Sequence, residues 1–455
     1  MNSVVKQDFI RRFFLLLGKK LDYCILRNYE TLPEEDGGGS DIDILVRATN
    51  SAIVDTIIIP DVCSFGWKPI VLSRTEMQAL LVCVHTTDTS VDTVVFDIAI
   101  KLLWRGNRYA DETAILKGAL AHGEFFVASH GADAAVGVVK KLLAAGYVGE
   151  KYLEKVSQYT KDDPEGFLSA LVPIFGNLAE ELRESCRNAQ LEQINAITGS
   201  LRGKVRKANL GQYINDRIQK VNGRVRRFIC PPGKLIVFVG PDGSGKTTLL
   251  EKTTDYLKEF FLNEPALFHG GYELFPKLPT GTGIASMKGK IHSGTSDMTA
   301  ERMEQIKAKR STISKLATWI VVLYYTLEYV FGNALTVRLI RKNKWVFHDR
   351  YYYDWFIEPT SRDLIWERRG WLLSLVRNPD LIIHLFADGE MIHNRKPELS
   401  AEEIDIENHY LSRILCGCKN VVDINTGNHS VDGVAAEIFR IIVKRFYEEE
   451  LPIVQ

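Results

Sequence analysis

The chain has 455 residues, 45% hydrophobic and 25% charged, the composition of an ordinary soluble globular protein with room for two or three domains. Its 57 basic and 57 acidic residues balance. This excludes bulk charge as a means of attracting nucleic acid or membrane, so any such partner needs a local patch. The seven cysteines include only Cys416 and Cys418 at close spacing, too near for a CxxC site, which points to a reducing compartment without a disulfide framework.

Arg11 and Arg12 precede the short apolar run Phe13 to Leu17, and no small-residue cleavage site follows. The stretch predicts an amphipathic helix rather than a secretory signal, and a cytoplasmic location is expected. Tyr23 to Leu26 predicts a strand, and Pro33 to Gly39 a turn. Ser40 to Val46 predicts a second strand that puts Asp41 and Asp43 on one face, since side chains alternate. Two adjacent carboxylates repel unless a divalent cation sits between them. Asp97, inside the apolar strand Thr93 to Ile100, is a third carboxylate in need of a partner.

Gly39-Ser40-Asp41-Ile42-Asp43 followed by an apolar strand, with Asp97 in a later one, resembles the nucleotidyltransferase fold. The resemblance implies an α+β core over residues 1–110. It also implies that Asp41, Asp43 and Asp97 hold Mg²⁺ for attack on a nucleotide α-phosphate. Lys101 to Gly106 is similar to members of that group that accompany sugar and polysaccharide enzymes. The usual Gly-Ser pair well before the acids is replaced by Arg27-Asn28, while Gly39-Ser40 abuts Asp41. An active transferase and a binding-only domain that recognises an acceptor both remain open.

Residues 111–200 show helical periodicity, with Lys140 and Lys141 on one side of a helix, and complete the N-terminal domain. His122 and His130 read as structural. Residues 201–232 form a basic linker closed by Pro231-Pro232-Gly233. It reads either as a patch for an anionic partner or as a solvated helix face. The second is preferred because only Tyr213 and Phe228 interleave the charges, so nucleic acid is not favoured.

Leu235 to Val239 predicts a buried strand. It runs into Gly240-Pro241-Asp242-Gly243-Ser244-Gly245-Lys246-Thr247-Thr248, a G-x-x-x-x-G-K-[ST] phosphate-binding loop that opens a helix. Gly240, Gly243 and Gly245 let backbone amides converge on an anion, and Ser244 and Thr248 flank the cradle. Lys246 reaches the β- and γ-phosphates, and Thr247 offers a hydroxyl to Mg²⁺. Further strands are expected at Ala266 to His269, Lys344 to His348, Leu381 to Phe386 and Val421 to Ile424. Strands alternating with helices predict an α/β P-loop NTPase domain over residues 233–455, with a doubly wound parallel sheet. Leu316 to Leu327 predicts a helix too short to span a membrane and buried in the core.

This half resembles the thymidylate kinase family through the loop, Asp349-Arg350-Tyr351, Asn378-Pro379-Asp380 and Arg395-Lys396-Pro397-Glu398. The resemblance implies ATP and Mg²⁺ as cofactors. It implies that Asp242 faces the acceptor's sugar, that Asp349 contacts Mg²⁺ or takes a proton, and that Arg350 grips the acceptor. Arg395 and Lys396 would close as a lid. The family's Arg-bearing acceptor loop is replaced by His269 to Pro276, which has no Arg, so dTMP is not expected as acceptor. Arg362, after Glu358 to Ser361, is a candidate anion contact. The expected activity is phosphoryl transfer to a sugar, glycan or nucleotide, coupled to the N-terminal domain, with oligomeric state open. The rivals are a kinase with an inert acceptor-binding module, an NTP-driven switch, and a nucleic-acid end-processing enzyme.

Overall fold

The computed structural model describes residues 3–34, 41–229, 231–261, 263–276, 312–357, 362, 365–427 and 429–448. The chain divides into two compact units. One comprises Met1–Thr86 with Val91–Arg224, the other Thr87–Ser90 with Val225–Gln455. Gly39, Ser40 and Glu358 to Ser361 lie outside the described residues.

In the first unit the strands are β1 (Tyr23–Ile25), β2 (Ile42–Val46), β3 (Lys68–Arg74), β4 (Gln78–Thr86), β5 (Val91–Ala99), the small pair β6 (Leu103–Trp104) and β7 (Asn107–Arg108), β8 (Leu120–His122) and β9 (Phe125–Val127). Seven form a mixed sheet in the order β3-β4-β5-β2-β1-β9-β8, with β2 and β5 parallel and β1 and β2 antiparallel. The helix Val4–Lys20 is capped by Ser3 Oγ, which accepts from the Lys6 amide. It buries Phe9, Ile10, Phe13, Phe14 and Leu17, the single face that helical spacing provides. Phe13 stacks on Phe96 of β5 at 4.6 Å, and Phe9 on Trp67 at 4.1 Å. A second core joins the helices His130–Ala144, Pro164–Phe175 and Asn177–Arg187 around Phe167, Phe175 and Leu182. The basic stretch is helical, in Thr198–Ala208 and Leu210–Ile229.

The second unit holds β10 (Leu235–Val239), β11 (Ala266–His269), β12 (Val346–Asp349), β13 (Leu381–Phe386) and β14 (Val421–Asn425). All pairs are parallel, in the order β11-β12-β10-β13-β14. All five residues of β10 are buried, as a central strand requires. Asp380 of the Asn-Pro-Asp motif anchors its start, accepting from the Leu235 amide at 2.7 Å. The order reverses at β10, so its carboxyl end is a topological switch point, where α/β sheets bind ligands.

One expectation is corrected. The helix predicted at Leu316 to Leu327 runs over Thr312–Arg341, and the segment Thr318–Arg341 is long and apolar enough to cross a membrane by length and composition. It is not a wholly buried core helix. Val322, Thr326, Tyr329, Thr336 and Ile340 are buried, while Ile320, Leu323, Leu327 and Phe331 are exposed. Apolar residues continue around the circumference, so composition could not reveal that only one face packs. Its acid, Glu328, is buried and accepts from the Leu274 amide at 3.2 Å.

Candidate functional site

The glycine-rich loop that starts at Gly240 leaves the carboxyl end of β10 and enters the helix Lys246–Tyr256. Gly240 and Gly243 have φ of 155° and 91°, and a Cβ on Gly240 would lie 2.3 Å from the Leu385 carbonyl oxygen. Only glycine fits that turn against β13. Buried Lys246 donates to the carbonyls of Gly240 and Pro241, both at 2.8 Å, and lies 3.4 Å from Asp242 Oδ1. Its ammonium is thus stored over the loop that would receive phosphate.

The neighbouring strand supplies the counterpart. Phe238 of β10 pairs in register with Asp349 of β12, which brings Asp349 beside the loop. Thr247 donates its hydroxyl to Asp349 Oδ2 at 2.5 Å, and His269 Nδ1 lies 3.3 Å from the same oxygen. Asp349 Oδ1 is buried without a hydrogen-bond partner, as is Ser244 Oγ. A carboxylate with one unmet oxygen next to a threonine hydroxyl is a donor set that fits Mg²⁺. Arg350 has φ of 73°, a region rare for a side-chain-bearing residue, and donates to Asp242 Oδ1 at 2.5 Å. Burial alone would push the Asp242 carboxyl up; Lys246, Arg350 and Lys396 outweigh it and hold Asp242 below its ordinary value. Asp242 is therefore ionised at neutral pH.

Of the two expected lid residues, Lys396 packs over the loop, its Cβ 3.1 Å from where a Gly243 Cβ would stand. Arg395 is turned to the end of β14, donating to the carbonyls of Thr426 at 2.8 Å and Gly427 at 3.2 Å. Thr248 is exposed on the helix, and Arg362 is buried with its guanidinium 4.3 Å over the Tyr410 ring. Sequence reasoning missed His269 and Asp354. Burial pushes the Asp354 carboxyl up to about 6, against the pull of Lys246 and Arg350, and its Oδ1 has no hydrogen-bond partner. The available signal was an acid inside the aromatic run Tyr351-Tyr352-Tyr353-Asp354-Trp355-Phe356, where an idle carboxylate is costly.

The first unit holds a separate cluster. One oxygen from each of Asp41, Asp43 and Asp97 lies within 4.8 Å of the other two. The parallel pairing of β2 with β5 sets Asp43 opposite Asp97. Gln78 of β4 donates to Asp97 at 2.7 Å. Burial pushes the Asp97 carboxyl up, with Gln78 opposing and Asp43 adding to the rise. Asp43 is buried between two cations, paired with Arg27 Nε and lying 3.3 Å from Lys140 Nζ. Arg27, Asp43, Asp97, Lys140 and Asp133 help line a cavity of about 200 Å³. Three hard oxygen donors this close fit a divalent cation, and Arg27 and Lys140 add charges that fit phosphate. Gln78 was not noted from sequence and Lys140 was noted only as part of a helix face, because their approach to the acids depends on β4 and on the helix His130–Ala144.

No protein-family model matches the chain, and no curated protein matches it. Among solved structures it is similar to the thymidylate kinase from Candida albicans, at 18% identity over 48% of this chain and 94% of that one, with a TM-score of 0.33. It is also similar to the thymidylate kinase from Ehrlichia chaffeensis, at 17% identity over 47% and 100%, with a TM-score of 0.29.

Proposed function

We propose that the second unit is an ATP- and Mg²⁺-dependent phosphotransferase acting on a hydroxyl or phosphate of a sugar, glycan or nucleotide. The observation that supports this is the loop at the switch point, with Thr247 joined to Asp349 and Lys246 poised above. The loop amides and Lys246 bind the phosphates, with Lys246 exchanging loop carbonyls for phosphate oxygens. Thr247 and Asp349 would hold Mg²⁺, which would neutralise phosphate charge when bound. The acceptor oxygen bonds to the γ-phosphorus as the bond to the β,γ-bridging oxygen breaks; ADP leaves, and the proton of a hydroxyl acceptor passes to Asp242 and on to solvent. Asp242, kept ionised, accepts a hydrogen bond from an acceptor hydroxyl and orients it. Lys396 adds positive charge where the transferred group passes.

For the first unit, the closeness of three carboxylates favours a nucleotidyltransferase-type metal centre. Occupation of Asp43 by Arg27 and Lys140 favours an acceptor-binding module instead.

One experiment addresses both units. Label transfer from γ- and α-labelled nucleotides is followed across sugars, glycans and nucleotides, together with Mn²⁺ binding by titration calorimetry. Phosphoryl transfer lost in Lys246→Ala supports the kinase, and label released only as free phosphate rejects it for a switch. Nucleotidyl transfer and Mn²⁺ binding that both fall in Asp41→Asn support the transferase. Unchanged Mn²⁺ binding without nucleotidyl transfer leaves the first unit a binding module.

A further inference from the structure

The helix Leu210–Ile229 carries the apolar residues Leu210, Ile214, Ile218, Val221, Val225, Phe228 and Ile229. At 3.6 residues per turn these positions fall within one sector of about 100° that runs the length of the helix. A stripe of that kind normally packs against a core. Here every member is more than a third exposed, from 50% at Ile214 to 71% at Ile229, and Phe228 also carries the Arg341 guanidinium 3.8 Å over its ring. Seven large apolar side chains in one exposed row make a patch that isolated surface leucines do not.

The rest of the helix is basic. Its sequence holds Arg217, Lys220, Arg224, Arg226 and Arg227 against the single acid Asp216, a net charge of +4. By helical periodicity positions 217, 220, 224 and 227 follow one border of the apolar sector, and position 226 lies beyond the other. The remaining positions are mostly glycine, asparagine and glutamine. An apolar sector bordered by lysine and arginine along 20 residues is the pattern of a helix lying in the plane of a lipid surface.

We propose that this helix docks the protein on an anionic lipid bilayer, apolar row inserted among the acyl chains and basic border on the headgroups. Charge selects this occupant. A second copy of the helix would bring two rows of like charge together along a shared seam, which opposes pairing. A nucleic acid would use the charges and leave the apolar row in water, and only Tyr213 and Phe228 are aromatic, so no stacking platform is present. An acidic membrane satisfies both features. Each basic residue near such a surface strengthens partitioning about five-fold at low salt, and the contribution fades within a Debye length as salt rises.

The test uses the full chain. Sedimentation is followed with vesicles of phosphatidylcholine alone and of phosphatidylcholine with an equal share of phosphatidylglycerol. Wild type is expected to pellet with the acidic vesicles, to prefer them over neutral ones by at least about ten-fold, and to be released by high salt. The double variant Ile218→Glu/Val221→Glu interrupts the row on a face that makes no core, so it is expected to keep its circular dichroism and melting profile and to lose at least about ten-fold in partitioning. Arg217→Gln is expected to weaken acidic-vesicle binding about five-fold. Absence of pelleting, equal binding to both vesicles, or binding that survives the double variant would overturn the proposal. So would a concentration-dependent dimer or oligonucleotide binding abolished by the double variant, if vesicles are ignored.

Discussion

Asp133 shows how far a single buried acid can shape the response to pH. It lines the cavity of the first unit, and burial, opposed by Lys155 at 3.6 Å, pushes its carboxyl up to about 7. In the unfolded chain an aspartate titrates near 3.9. The native state therefore binds this proton more tightly. Its contribution is fully present below about pH 4 and is lost as pH rises towards 7. A shift of about three units corresponds to roughly 4 kcal/mol at most. In Asp133→Asn that loss is removed. Urea unfolding from pH 4 to 8 should show the wild type falling relative to the variant by a few kcal/mol; parallel curves would mean that Asp133 is charged in the folded protein. The same environmental logic sets Asp242 apart from Asp354. Both acids stand near Lys246 and Arg350, yet Asp242 is held ionised while burial dominates at Asp354.

At the scale of elements, the long helix Thr312–Arg341 depends on one small residue. Gly332 lies against Tyr272, and a Cβ there would come within 2.1 Å of the ring carbon Cδ2. Tyr272 is fixed in turn by its hydroxyl contact with Thr336 Oγ1 at 2.8 Å and by rings of Tyr329 and His348. On an isolated helix Gly→Ala stabilises by about 1 kcal/mol. Overpacking a fixed ring costs about 1–3 kcal/mol. Gly332→Ala is therefore expected to destabilise the protein in denaturant titration despite its better helix propensity. A gain in stability would show that the ring moves aside. β10 illustrates the opposite case, because its five apolar residues, the glycine loop and the following helix agree locally and leave little for tertiary context to alter.

At the scale of the molecule, each compact unit owns its core. Phe167 is fully buried in the first unit, and Phe167→Ala should cost that unit about 3–5 kcal/mol. On the function proposed above, ATP with Mg²⁺ should raise only the transition of the other unit. Calorimetry should then separate the two: the variant lowers one transition and nucleotide lifts the other. A single transition moved by both would mean that the units unfold as one.

The phosphate-binding loop and its flanking strand and helix were legible in the sequence because their determinants are local: glycines at a turn, a lysine and threonine at a helix start, a buried β-branched run. The acidic trio was legible as residue types, since alternation along one strand already puts Asp41 and Asp43 together. What joins Asp97 to them is the parallel register of β2 with β5, set by packing of residues far apart in the chain. Only tertiary structure decided that Arg27 and Lys140 bracket Asp43, that Arg395 turns to Thr426, and that Asp354 stands near Lys246 and Arg350. It also decided which apolar helix faces are covered. Hydrophobic periodicity names a face that can be buried, but whether a partner reaches it depends on where the other elements pack, and that information is spread along the whole chain.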